Sequence, residues 1–334
     1  MKTSLRLLFC FSILLVGCAN EKENYKSRLF VKTDASPELD IDRYEEVLFN
    51  IDTAHFQETI QSIQQDYLPF LAGDLSDPDA IHYLKAFAVD TFSTALYQEV
   101  KKTYPNPNEL KSEIGSVYQY FNYYYPDIQL PTKVFTCVSG INPDLPPVFF
   151  ADDALVLSLD WYLDQSELYD YLGMPKYRAE RTGKQYIARD VAELLYDTYL
   201  SDRHKQTTVL DEMIREGKKR FFVEAMCPKL PDQILLGYSL EQLQWATANE
   251  GNLWADIVGN QRLYSSEYDM FRVFFADGPF TNEYSHDAPA RLGEFLGLHI
   301  IRSYMNIHDL SLPELMRDED LQGIFQDSGY KPKK

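Results

Sequence analysis

Apolar residues recur every three or four positions along most of this chain. In 110–121, Leu110, Ile114, Val117 and Phe121 fall on one helical face. The stretches "DRYEEVLFNI" (42–51) and "HFQETIQSIQQDYLPFL" (55–71) carry the same period, so the first half reads as helical. Asp77 and Pro78 open a helix through "DAIHYLKAFAV"; at the first helical position proline lacks only an N–H that would have no partner anyway. Asn106 and Glu109 have the spacing of a capping box for the next helix. The period then changes. "TKVFTCVSG" (132–140) is β-branched and aromatic, and "PPVFFADDALVLSLDWYL" (146–163) holds two apolar runs broken at 151–153. Strand, turn, strand follows, in one small sheet. Helices resume near Tyr186. Gly217 in "MIREGKKRFF" predicts a helix C-cap. Ser239 with Gln242, and Ser311 with Glu314, predict two more capping boxes. Helices, a small sheet, then helices make an α+β fold, mostly α. Neither an internal repeat nor a Pro/Gly/Ser linker divides residues 40–334, which read as one domain.

The N-terminus differs. Lys2 and Arg6 precede "LLFCFSILLV" (7–16), too short for a permanent membrane span and suited to a secretory signal. The run ends in Leu15, Val16, Gly17 and Cys18, a lipobox. Residues 1–17 are then a lipoprotein signal peptide. The Cys18 thiol takes a diacylglycerol, and the freed amine is acylated too. Several chains anchor stably where one does not. An ordinary signal peptide with an unmodified cysteine is the alternative. Residues 18–39 are polar and aperiodic, a lipidated N-terminus and tether.

Charge narrows the partners. The 334-residue chain carries a formal −19, and −21 once Lys2 and Arg6 leave with the signal. That argues against nucleic acid and against a peripheral electrostatic hold on anionic lipid, leaving the lipid at Cys18 to hold the protein at the membrane. Tyrosine, at 24 residues, is the commonest aromatic, so core and clefts should be Tyr-lined. Beyond Cys18 only Cys137 and Cys227 remain. Export permits a disulfide between them; two buried free thiols are the alternative.

Motifs for catalysis are missing. The six histidines form no HExxH or HxxEH, and His286, His299 and His308 are scattered. There is no GxSxG, no phosphate loop and no GxGxxG. Acids in "ADDAL" and "LPDQ" suit turns better than a glycosidase carboxylate pair. No cofactor, metal or catalytic residue is therefore assigned. In "HDAPARLGEFLGLHIIRSYM" (286–305), Asp287 can cap a helix with Pro289 early in it. Gly293 and Gly297 stand one turn apart, each costing the helix about 1 kcal/mol relative to Ala, which suggests close packing or a site. Arg291 and Arg302 face either a carboxylate or solvent. In "DVAELLYDTY" (190–199), Glu193 and Asp197 lie one turn apart.

The lipobox, "IDRYEEVLFNID", "LSLDWYLDQSELYDYLGMPKY", "MIREGKKRFFVEAMCP", "LLGYSLEQLQWATANEGNLWADIV" and "DAPARLGEFLGLHIIRSYM" together, in this order, resemble GldB, the gliding-motility lipoprotein family of Bacteroidetes. The resemblance covers nearly the whole mature chain. It implies a lipid-anchored cell-envelope protein, facing periplasm or exterior, that works with other gliding and type IX secretion proteins. It also implies kinship with zincin-like metalloproteases, and so a zincin-like helical domain with a small sheet preceding the HExxH helix. Set on residues 190–199, that motif places Glu193 and Asp197 at the two histidine positions and Leu194 at the general base. Together with Arg291 they would outline a relict cleft without catalysis, since leucine cannot activate water. An ordinary amphipathic helix is the other reading of this segment. An envelope hydrolase, peptidase or glycosidase, with a non-standard site is the alternative function.

Overall fold

A computed structural model describes residues 24–164, 167–201 and 208–332; the signal peptide, the lipobox with Cys18 and residues 19–23 of the tether lie outside them. Helix α1 (Tyr25–Leu29) leads into strand β1 (Asp40–Arg43) and α2 (Tyr44–Leu48). Next come α3 (Phe56–Ser62), α4 (Leu68–Leu71), α5 (Pro78–Val89), α6 (Thr91–Thr103) and α7 (Asn108–Tyr124). Three strands follow: β2 (Lys133–Cys137), β3 (Val148–Ala151) and β4 (Ala154–Ser158). The second helical half holds α8 (Glu167–Tyr171), α9 (Lys176–Ala179), α10 (Ile187–Tyr199), α11 (Val209–Met226), α12 (Asp232–Leu236) and α13 (Leu240–Gly259). It closes with α14 (Tyr268–Phe275), α15 (Leu292–Ile307), α16 (Leu312–Arg317) and α17 (Leu321–Asp327). The fold is α+β and mostly α.

The sheet has the order β1-β2-β4-β3. β1 and β4 run parallel to β2, and β3 pairs antiparallel with β4 across the turn at Asp152 and Asp153. Parallel β1 and β2 need a crossover, which α2 to α7 provide. Alternation along the strands divides the interior. Val134, Leu155 and Leu157 join the large core built with α7, α10, α11 and α15. Phe135, Cys137 and Val156 face a smaller core with Tyr44, Phe56, Ile60 and Leu71.

Starts set by local hydrogen bonds occur where the sequence places them. Asp77 caps α5, and both halves of the capping boxes at Ser239–Gln242 and Ser311–Glu314 form. The expected strand, turn and strand after residue 146 is β3 and β4. Other expectations need correction. Residues 42–43 extend in β1, paired with Phe135 and Thr136, so only Tyr44–Leu48 of that stretch is helical. Residues 55–71 form two helices, α4 restarting with Pro69 in its first turn. Asn106 accepts from the Asn108 amide at 3.1 Å, and Pro107 is the N-cap, so no box forms with Glu109. Two short helices, α8 and α9, precede Tyr186. Asp287 and Pro289 precede α15, which starts at Leu292 behind Arg291 in a left-handed conformation (φ 58°). Gly217 ends nothing. It lies mid-way along α11, where an added Cβ would overlap the carbonyl of Gly297. Residues 25–29, inside the expected tether, form α1 with Tyr25 and Leu29 buried.

Candidate functional site: an ion-packed seam between α10, α11 and α15

Helix α10 is amphipathic. Val191, Ala192 and Leu195 are buried, and Leu194 also packs on the large core. Its polar side meets the "GKKRFF" run of α11. Arg220, almost wholly buried, donates from Nη1 to Glu193 and to the Leu235 carbonyl at 3.2 Å. Its Nε lies 3.2 Å from Glu294 of α15. Arg189 reaches Glu193 at 3.2 Å and Asp190 at 2.8 Å. Tyr162 donates its hydroxyl to Asp190 at 2.7 Å. Lys219 grips both oxygens of Asp197, at 2.9 and 2.8 Å.

Arg291 joins this seam through Glu294, 3.4 Å away, and lies 3.7 Å from Asp277. Its Nη2 also donates to the Leu236 carbonyl at 2.9 Å. With Arg189 on Ile234 O (3.3 Å) and Arg181 on Gly237 O (2.9 Å), it caps the carbonyl end of α12; the Ile234 carbonyl also accepts the Gly237 amide. The expected carboxylate partner of Arg291 is therefore present, together with a backbone role that its spacing gave no hint of. The other arginine of that stretch, Arg302, holds Glu224 at 2.9 Å and forks onto Asp232 at 2.8 and 2.7 Å.

Of the four residues expected at a relict cleft, Glu193, Asp197 and Arg291 are linked by one charge network through Arg220, Lys219 and Glu294. Leu194 packs on the apolar core beside it. Burial works against the charge of Glu193, but Arg220, Arg189 and Lys219 outweigh it and hold the carboxyl well below the usual range. Glu216 behaves oppositely. Burial first, and then the charge of Glu294, push it up to about 7 despite Arg220 and Lys219. It has no hydrogen-bond or ion-pair partner among the described residues. Glu216 lines a cavity of about 240 Å3 with Asp197, Glu212, Arg215, Lys219 and Met316.

The arrangement has a chemical consequence. A guanidinium stands between Glu193 and Glu294, where a bound cation would sit, and both carboxylates already have their counter-charge. Among the described residues no three His, Cys, Asp or Glu side chains are grouped to hold a metal. His299 is occupied with Glu250 (2.6 Å), while His286 and His308 pack on Phe280 and Tyr304. Cys137 and Cys227 are both free thiols, so the disulfide does not form; burial pushes the Cys227 thiol up to about 12. Arg189, Glu216, Arg220 and Glu294 escaped the sequence reading. The signal was the basic run 218–220, which falls opposite the acidic face of α10 only after folding.

The family model for gliding motility protein GldB matches residues 27–332. The chain belongs to the GldB family. The match spans the sheet, the ion-packed seam and the C-terminal helices, and so every quoted block except the lipobox, which lies before its first residue. Among curated proteins and among solved structures, nothing matches the chain. No helix of the described residues is long and apolar enough to cross a membrane.

Proposed function

We propose that this member of the GldB family is a lipid-anchored cell-envelope component of the gliding-motility machinery and the linked type IX secretion system. It works by binding, in a zincin-like fold that has given up catalysis. The observation that carries the non-catalytic reading is Arg220 wedged between Glu193 and Glu294. A fixed guanidinium there repels a zinc ion electrostatically, and Leu194 offers no base. Cys18 supplies the anchor, and the partners are other envelope proteins of these machines.

Deleting the gene in a gliding host should abolish colony spreading, and the wild-type gene should restore it. Cys18→Ala should leave the protein in the soluble fraction or as uncleaved precursor. Normal spreading and normal type IX export in the deletion strain would rule the role out.

One feature favours a second reading, an envelope hydrolase. Glu216 is an unpartnered carboxyl poised near neutrality beside a cavity, as a general acid would be. Glu216→Gln decides between them. Full spreading in a strain carrying that variant supports binding; lost spreading with thermal stability at or above wild type supports hydrolysis.

A further inference from the structure

We infer that the surface built by α1 and the end of α15 is the side of the domain that rests on the bilayer, with Lys26, Phe30, Lys32 and Tyr123 at the lipid headgroups. This rests on the lipid anchor at Cys18.

Helix α1 is fastened to the domain. Tyr25 is buried, donates its hydroxyl to Glu224 at 3.3 Å and its backbone N–H to Asn306 at 3.3 Å, and packs its ring 5.6 Å from that of Phe221. Arg28 donates to the carbonyls of Met305 and His308 (3.2 Å for the latter) and pairs with Asp309 at 2.5 Å. Those carbonyls end α15 and lack helical partners, and a cation also suits the negative end of the helix. From Tyr25 onward, then, the chain is part of the domain and not slack.

Chain length turns this attachment into an orientation. Tyr25 is seven residues beyond Cys18. Fully extended, that spacing reaches about 25 Å. A domain of this size is about 50 Å across. A lipid on Cys18 therefore keeps the half of the domain opposite α1 off the membrane and leaves the face carrying α1 free to rest on it.

The chemistry of that face agrees. Residues 24–33 carry Lys26, Arg28 and Lys32 with no acidic residue, in a chain of formal charge −19. Lys26 and Lys32 are exposed, and Phe30 and Tyr123 are 52% and 50% exposed. Tyr123 edges a cavity of about 530 Å3 that Tyr25, Leu29, Val31 and Tyr124 also line; its acids are Asp309, paired with Arg28, and Glu314. Aromatic rings flanked by lysines are the side chains that settle at a bilayer interface. The whole-chain charge opposes anionic lipid, but this stretch does not.

The test uses the full-length lipidated protein in vesicles of phosphatidylethanolamine and phosphatidylglycerol. In a Cys227→Ser background, an environment-sensitive fluorophore is placed at Phe30→Cys, Tyr123→Cys, Tyr83→Cys or Tyr268→Cys; the last two positions are 74% and 75% exposed and do not line the cavity. Brominated lipid should quench positions 30 and 123 and spare 83 and 268. Quenching at 83 or 268 instead, or at no position while the protein floats with vesicles, overturns the inference and leaves the anchor standing. A protein that neither floats nor carries acyl mass on its N-terminal peptide overturns both. Lys26→Glu with Lys32→Glu should keep the protein afloat and reduce quenching at 30 and 123 about twofold, since each basic residue near anionic lipid adds attraction. Unchanged quenching would remove the lysines from the contact.

Discussion

Helices α11 and α15 meet in two ways within one turn. At Gly217 and Gly297 the backbones touch: a Cβ on Gly297 would overlap the Met213 carbonyl, and one on Gly217 would overlap Gly297 itself. One turn further along α11, Arg220 reaches across to Glu294 and on to Glu193 of α10. The first contact has no adjustable part, because both sides are backbone. The second is made of long side chains with several partners each: Glu193 also has Arg189 and Lys219, and Glu294 also has Arg291. Steric contact of backbones should fail abruptly on substitution. A shared charge network should lose stability in steps, and with a pH dependence.

Gly297→Ala should show the largest effect, about 3–4 kcal/mol in urea unfolding, at or above the usual overpacking range because the neighbour is a carbonyl and not a side chain. A loss below about 1 kcal/mol would mean that the helices can part freely. Gly293→Ala is the internal control. Its added methyl meets the Phe275 ring, which can turn, and the gain in helix propensity offsets part of the strain, so less than about 1 kcal/mol should be lost.

Arg220→Met comes next, at about 2–3 kcal/mol. That lies below the range for a stranded buried charge because other cations remain on Glu193 and Glu294. A drop as large as that of Gly297→Ala would show that the remaining cations do not compensate.

Glu216→Gln tests the pH dependence. The folded carboxyl is raised to about 7 from 4.5, so the folded state binds the extra proton between those values. Wild-type stability attributable to this group therefore falls as pH rises from about 4.5 to about 7, and stays low above it. The variant should match wild type near pH 4 and exceed it by up to about 3 kcal/mol at pH 8. Equal stability at both pH values would mean that Glu216 is well solvated. Asp197→Asn should do least. Its carboxylate is 52% exposed and its pair with Lys219 lies at the surface, so a change within about 0.5 kcal/mol is expected in the same titration.

The sequence made half of each contact legible. Gly293 and Gly297 announced close approach, but not that Gly297 alone meets backbone, nor that its partner is Gly217, which locally resembles a helix end. Glu193 and Asp197 stood out on the polar side of α10, yet nothing in 190–199 identified Arg220 and Lys219 as their counter-charges. For Arg291 the sequence left carboxylate and solvent both open; Glu294 decides for the first, while the bond to the Leu236 carbonyl depends on where α12 ends. In each case the missing partner lies on another element, and no periodicity along one segment encodes it.

What the sequence determined by itself was local. Asp77, Ser239 and Ser311 start helices because each side chain reaches an amide two or three residues ahead, and the bond needs nothing else. The turn between β3 and β4 and the faces of α7 and α10 follow from neighbours in the same way. The tertiary structure decided the rest. Residues 40–43 became a strand because β2 offered an edge to pair with. Five polar-flanked residues of the expected tether became α1 because Glu224 and the end of α15 offered partners for Tyr25 and Arg28. Gly217 stayed inside its helix because the close approach of α15 required a residue without a side chain, a demand that exists only once two distant segments are packed together.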